Sequence, residues 1–155
     1  KVRPEYRLQI VGVGHLERSL KTLSKALDLE ASVDWIGKVR DPNVYIAKWD
    51  VFILTSLYEG FGLPVIEGFC AGKPVITSKL SPMKDIAKDA ALLVDPHSIS
   101  SIRDGVNEFI KNPELRQSKV EKGKLITQVY QSKKILAEYE NLWKQVQDSN
   151  EKAAF

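Results

Sequence analysis

Two glutamates bracket the part of this sequence best equipped to do chemistry: Glu59-Gly60-Phe61-Gly62-Leu63-Pro64-Val65-Ile66-Glu67. Gly60 and Gly62 let the backbone turn tightly and approach a ligand closely, and Pro64 pre-sets the first turn of a helix. Uncapped N–H groups at such a helix start form an anion site suited to a diphosphate. Glu67 falls about one turn into the helix, and its Cβ leans back toward the N-terminus. Its carboxylate can therefore face the same pocket, where on the wall far from the phosphates it is a bidentate acceptor for two ribose hydroxyls. Glu59, on the loop at the other side, can meet hydroxyls of a sugar attached to the second phosphate. Two more glycine turns, Gly12-Val13-Gly14 and Gly37-Lys38-Val39, also follow apolar runs.

Each feature has an ordinary reading as well. An acid near a helix start usually complements the helix dipole, which alone would account for Glu59. Glu67 is harder to explain that way, because it lies among apolar residues and an unpaired buried carboxylate is costly. Gly12-Val13-Gly14 by itself is weak evidence for a nucleotide. Lys38, Lys73 and Lys79 read as solvated charges, with Lys38 placed where a ligand could reach it. Trp35 and Trp49 read as core rather than stacking platforms. His15 and His97 form no triad with a Ser or Cys.

The elements that must position these residues follow from the hydropathy pattern. Tyr6 to Val11 is strand-like, and His15 to Asp28 repeats Leu16, Leu20, Leu23 and Leu27 at helical spacing. Ser32 to Ile36 reads as a second strand, Gly37 to Asp41 as a loop and Pro42 to Trp49 as a short helix. Val51 to Thr55 is almost continuously apolar, which predicts a strand covered on both faces, as in a parallel sheet between helices. The loop Ser56 to Gly62 leads to a helix over Leu63 to Ala71 that Gly72 closes. Pro74 to Ser78 and Ala91 to Val94 supply two more strands, bridged by a helix over Ser81 to Ala87. From Ser98 onward the pattern is helical, with segments at Ser98 to Lys111, Pro113 to Val129 and Ser132 to Gln147, broken at Asn112-Pro113. The alternation of strand and helix predicts an α/β fold, a doubly wound parallel sheet of Rossmann-like type followed by C-terminal helices.

The chain has 155 residues, 43% of them hydrophobic, which is enough for one core of ordinary size. One domain over 1–148 is expected, with 149–155 as a frayed tail. The net charge of +3 comes from mixed signs with no long basic run, which argues against a nucleic-acid partner. Cys70 is the only cysteine and no Cys/His cluster accompanies it, so neither a disulfide nor a metal site is expected. A reducing, cytoplasmic setting is the simplest one. No apolar run is long enough to span a bilayer, and residues 1–4 lack a signal-peptide core. Peripheral association with the inner face of a membrane is left open.

The segment from Ser56 to Glu67 resembles the Glu, seven residues, Glu motif of the retaining GT-B glycosyltransferases of family four, the glycosyl transferases group 1. Gly72-Lys73-Pro74-Val75-Ile76-Thr77-Ser78 and Asp89-Ala90-Ala91-Leu92-Leu93-Val94-Asp95-Pro96 are similar to the strands that follow in that family. Leu8 to Gly14 and Val33 to Val39 are similar to the earlier ones, so the resemblance runs to Pro96 and more loosely into the helices. It implies the nucleotide-sugar-binding, C-terminal domain of a two-domain enzyme that moves a sugar from a nucleoside diphosphate to a hydroxyl acceptor such as a polysaccharide or glycolipid. Glu67 should then hold the donor ribose, and the amides of Gly60, Phe61, Gly62 and Leu63 should contact the donor sugar and diphosphate. Glu59, the catalytic candidate, should contact sugar hydroxyls near the reacting carbon. Gly37, Lys38 and Val39 should meet the base, mainly through backbone atoms, and Gly12 should border the phosphates. No cofactor or metal is implied, and the donor is the nucleotide sugar itself.

The sequence departs from the family in places. Members carry an Arg and a nearby Lys one strand earlier, facing the diphosphate, and this sequence begins after that point. The domain's first strand and helix and the N-terminal acceptor domain are thus expected to be missing, with weak donor affinity and no transfer by the chain alone. Gly68-Phe69-Cys70 stands where Ala-Met-Ala is usual, Lys84-Asp85 where Pro-Glu is usual, and His15 where Pro is common. A nucleotide-sugar epimerase of the same fold is a rival reading; a phosphorylase relative would need a lysine for pyridoxal phosphate near a different motif and fits the Glu59 to Glu67 spacing poorly. A non-catalytic binding or docking module would not need both glutamates.

Overall fold

The computed structural model describes residues 6–153. In order, it contains strand β1 (Leu8–Val11), helix α1 (Glu17–Ala26), β2 (Val33–Gly37), α2 (Asn43–Ile46), β3 (Phe52–Leu54), α3 (Leu63–Cys70), β4 (Val75–Ser78), α4 (Met83–Ala87), β5 (Ala91–Val94), α5 (Ile99–Lys111), α6 (Pro113–Thr127) and α7 (Ser132–Ala153). The sequence pattern locates these elements to within a few residues. The helix α7 runs on through 149–153, where the sequence suggested fraying, and Glu151, Lys152 and Ala153 are all strong helix formers.

The chain divides into two compact units, with the boundary between Val44 and Tyr45. In the first, β1 and β2 pair in parallel, Leu8 with Val33 through Ile10 with Trp35. Asp34 on β2 accepts a hydrogen bond from Arg7 Nε at 3.2 Å and a second from the same guanidinium. That guanidinium holds the Asp34 carboxyl below the usual carboxylate range. A depressed folded value means that the pairing stabilises above the unfolded carboxyl's pKa and is lost as pH falls through the folded value. Asp34→Asn is therefore expected to lower stability slightly at neutral and alkaline pH and to make its decline in acid slightly less steep, as read by denaturation over a series from acid to alkaline pH.

The leucine face of α1 is unusual for a helix between two strands. Leu16, Leu20, Leu23 and Leu27 remain 44–55% exposed. A parallel strand pair ordinarily lies between covering layers, and this stripe is apolar surface of the kind such layers bury.

In the second unit, β3, β4 and β5 form a parallel sheet in that order, with Phe52 opposite Val75 and Val75 opposite Ala91. The central strand β4 is buried along its whole length. Its side chains alternate between two cores, as a period of two requires. Val75 joins Val65, Ile66 and Phe69 of α3, with Phe52, Met83 and Ile86, whereas Ile76 joins Val94 and Phe109 of α5. Helices thus cover both faces of β4. The expectation for β3 needs correcting: Phe52 is buried, but Ile53 is 38% exposed, so this strand is covered on one face more than on the other.

Two glycines allow the helices to close on this core. A Cβ at Gly68 would lie 3.0 Å from Val75 Cγ2 and 3.1 Å from the Phe52 ring, and one at Gly123 would lie 2.6 Å from Phe69 Cδ1. In the departure Gly68-Phe69-Cys70, the absent side chain at Gly68 makes room for Val75 and Phe52, and Phe69 packs against Gly123 of α6. Polar residues define the ends of the last helices. Ser98 Oγ accepts from Ser101 N–H and Asn112 Oδ1 from Leu115 N–H, so the Asn112-Pro113 break is an N-cap followed by Pro in the first turn. The stripe Leu136, Tyr139, Leu142 and Trp143 on α7 stays exposed.

Candidate functional site

In a parallel α/β sheet the residues able to meet a ligand lie beyond the carboxyl ends of the strands. The loop from Thr55 to Gly62 leaves β3 there, and it is anchored at both ends. At its start Thr77 Oγ1 donates to the Leu54 carbonyl at 2.9 Å. At its end Gly62 adopts φ +91°, a left-handed conformation that other residues rarely take, and it sits over Ile86 and Met83 of α4. The Phe61 ring meets Tyr130 edge-on, with centroids 6.1 Å apart.

This geometry leaves a run of open donors. No side chain caps α3, Pro64 has no N–H, and Val65 N–H is taken by the Gly62 carbonyl at 2.9 Å. Among the described residues, the N–H groups of Gly60, Phe61, Gly62 and Leu63 donate to no other group. Four unpaired amides around a helix start favour an anion electrostatically and by hydrogen bonding.

Glu59 and Glu67 flank that run. Glu59 is half-buried and accepts from Ser56 Oγ at 2.8 Å through Oε1. Glu67 lies one turn into α3 on its outer face, in line with exposed Leu63 and Cys70, while Val65, Ile66, Gly68 and Phe69 turn inward. Among the described residues its carboxylate has no hydrogen bond and no ion pair. Neither glutamate is spent on a structural salt bridge.

The remaining expected residues lie in the first unit. There the Gly12 N–H donates to the Gly37 carbonyl at 2.8 Å, which joins the two glycine turns at the ends of β1 and β2. Gly37 has φ +76°, Lys38 is exposed and Val39 half-buried. An open depression of about 640 Å³ in this unit is lined by Gly14, His15, Arg18, Lys21 and Lys25, and includes neither Gly12 nor Lys38. It is a shallow groove along the polar side of α1.

Other residues singled out in the sequence take structural places. Lys79 pairs with Asp95 at 2.8 Å, and Asp85 accepts from Ser81 Oγ. Trp49 packs against the core beside Phe52, and Lys21 lies 5.7 Å above the Trp35 ring. Among the described residues no three His, Cys, Asp or Glu side chains gather to hold a metal, and no helix is long and apolar enough to cross a membrane. Ser56 and Tyr130, which fix the loop, are not singled out by the sequence pattern. The spacing of Ser56 to Glu59 is visible there, but its meaning depends on whether a helix begins at that point.

In the second unit, parallel strands with helices on both faces of β4, and a glycine-rich loop and a helix N-terminus at the strand ends, make an α/β architecture. The sequence profile of the family described as glycosyl transferases group 1 matches residues 1–125, and the chain belongs to that family. It is 34% identical over 145 residues to an uncharacterized glycosyltransferase of Haemophilus influenzae, covering 92% of this chain and 41% of that protein. It is 29% identical over 138 residues to the N-acetylgalactosamine-N,N'-diacetylbacillosaminyl-diphospho-undecaprenol 4-alpha-N-acetylgalactosaminyltransferase of Campylobacter jejuni, covering 87% and 38%. The fold matches that of Anabaena HepE, solved in complex with UDP-glucose, with a TM-score of 0.74 at 22% identity over 81% of this chain and 36% of the other. The chain thus spans about two fifths of the length of these proteins, and its fold is that of a domain of the GT-B glycosyltransferases.

Proposed function

We propose that this chain is the donor-binding domain of a retaining glycosyltransferase, which takes a nucleoside-diphosphate sugar and, with an N-terminal acceptor domain, passes the sugar to a hydroxyl of a polysaccharide or lipid-linked glycan. The observation that carries the reading is the run of amides from Gly60 to Leu63, which lies in the chain between two glutamates and has no partner among the described residues, where neither glutamate has a cationic partner either. A diphosphate satisfies those amides. Glu67 then accepts from the ribose hydroxyls, and Glu59 accepts from hydroxyls of the sugar close to the carbon where the bond breaks.

In the transfer step the bond from the anomeric carbon to the diphosphate oxygen breaks, and negative charge grows on the departing phosphates. Donors already oriented toward that charge lower the barrier without reorganising, an effect worth several kcal/mol. Retention of configuration requires the acceptor oxygen to arrive on the face that the diphosphate leaves, with its proton passing to the departing phosphate oxygen. The neighbouring protein that binds UDP-glucose and the relative named for a diphospho-undecaprenol acceptor support the two substrate classes.

The test is a screen of nucleotide sugars against the longer protein, following release of nucleoside diphosphate and transfer to hydroxyl acceptors. The 155-residue chain run alongside is expected to transfer nothing. If the longer protein released diphosphate from no donor and bound none, the reading would fail.

A further inference from the structure

We propose that Ser56 is a positioning residue for Glu59: it holds one carboxylate oxygen so that the other is presented to a hydroxyl of the donor sugar. The inference rests on the donor-site reading above and adds a residue to it. Ser56 Oγ donates to Glu59 Oε1 at 2.8 Å in a half-buried setting. Among the described residues Glu59 has no other side-chain hydrogen bond and no ion pair.

The spacing of Ser56-Leu57-Tyr58-Glu59 is that of a capping box, in which the serine oxygen accepts from the backbone N–H three residues on and the glutamate reaches back to the serine N–H. Here no helix begins. The stretch from Thr55 to Gly62 is loop, and the first helical residue is Leu63. The bond also runs the other way, from hydroxyl to carboxylate, so the pair serves no helix end.

What it does serve is direction. The Leu54 carbonyl, the Phe61 ring and Gly62 fix the backbone on either side of Glu59. The remaining freedom lies in the torsions of the glutamate side chain, and a charge-assisted bond from Ser56 removes most of it. Oε2 keeps its lone pairs for an incoming hydroxyl.

The test uses the full-length protein. UDP-glucose, UDP-N-acetylglucosamine, UDP-galactose and GDP-mannose are titrated and assayed first, and the donor that is taken serves for the variants Ser56→Ala, Ser56→Thr, Glu59→Gln and Ser56→Ala/Glu59→Gln. Loss of one hydrogen bond to a charged group predicts a fall in kcat of about tenfold for Ser56→Ala, with affinity for the nucleoside diphosphate within about twofold of wild type. Ser56→Thr keeps the hydroxyl and should recover most of the rate. In the Glu59→Gln background Ser56→Ala should cost nothing further, because the two residues act as one unit.

Unchanged kcat in Ser56→Ala, a threonine variant as impaired as the alanine one, or an equal loss of diphosphate affinity would overturn the positioning role while leaving the donor site standing. A wild-type protein that takes none of the four sugars would overturn the donor reading, and this inference with it.

Discussion

Glu67→Ala is expected to weaken binding of the donor nucleotide by about 100-fold, since two hydrogen bonds to a carboxylate are lost and each is worth roughly 1.5 kcal/mol or more. The variant should fold normally. Glu67 sits on the outer face of α3, and among the described residues it holds no ion pair whose loss would strand a charge. Titration calorimetry with the nucleoside diphosphate and its 2′-deoxy analogue gives the reading directly. Wild type should prefer the ribonucleotide, and Glu67→Ala should bind the two alike. Equal affinities of wild type and variant for the ribonucleotide would show that Glu67 does not hold the ribose.

Phe69→Ala should destabilise the protein by about 3–5 kcal/mol, among the largest costs available to a single truncation. Phe69 is 1% exposed, and its ring occupies the place against α6 that a side chain at Gly123 would otherwise claim. The hole cannot be refilled easily, because Gly68 on α3 and Gly123 on α6 have no side chains to move into it. Gly123→Ala should cost less, about 1–3 kcal/mol, since the ring can shift to admit a methyl group. Urea denaturation of both variants checks the order. Equal costs would mean that the helices adjust their spacing instead of the ring.

The residues behind these two expectations are legible in the amino-acid sequence to different degrees. The Glu59 to Glu67 run and its glycines announce a tight loop leading into a helix, because conformational freedom at Gly and restriction at Pro are local properties. The regularly spaced leucines of α1 and the apolar stripe of α7 announce helices for the same reason. The same pattern cannot say whether those stripes are covered. Leu16, Leu20, Leu23 and Leu27, and Leu136, Tyr139, Leu142 and Trp143, remain exposed. The continuous apolarity of Val51 to Thr55 suggests a strand buried on both faces, which holds for β4 and not for β3, since hydropathy records what a strand tolerates and not its position in the sheet.

Ser56 shows the limit most plainly. Ser-x-x-Glu is a local pattern with a local meaning at helix starts, and only the observed path of the loop, with its helix delayed to Leu63, turns it into a contact that aims a carboxylate. By itself the sequence determined the order and approximate bounds of the elements and the glycine loop between two glutamates, which rest on short-range preferences of the backbone, while the family came from the resemblance of that motif and its flanking strands. The tertiary structure decided which face of α3 carries Glu67, which amides stay unpaired, which glycines let helices touch, and which strand is buried along its whole length. Those outcomes depend on residues far apart in the chain competing for the same space, and short-range preferences carry no record of that competition.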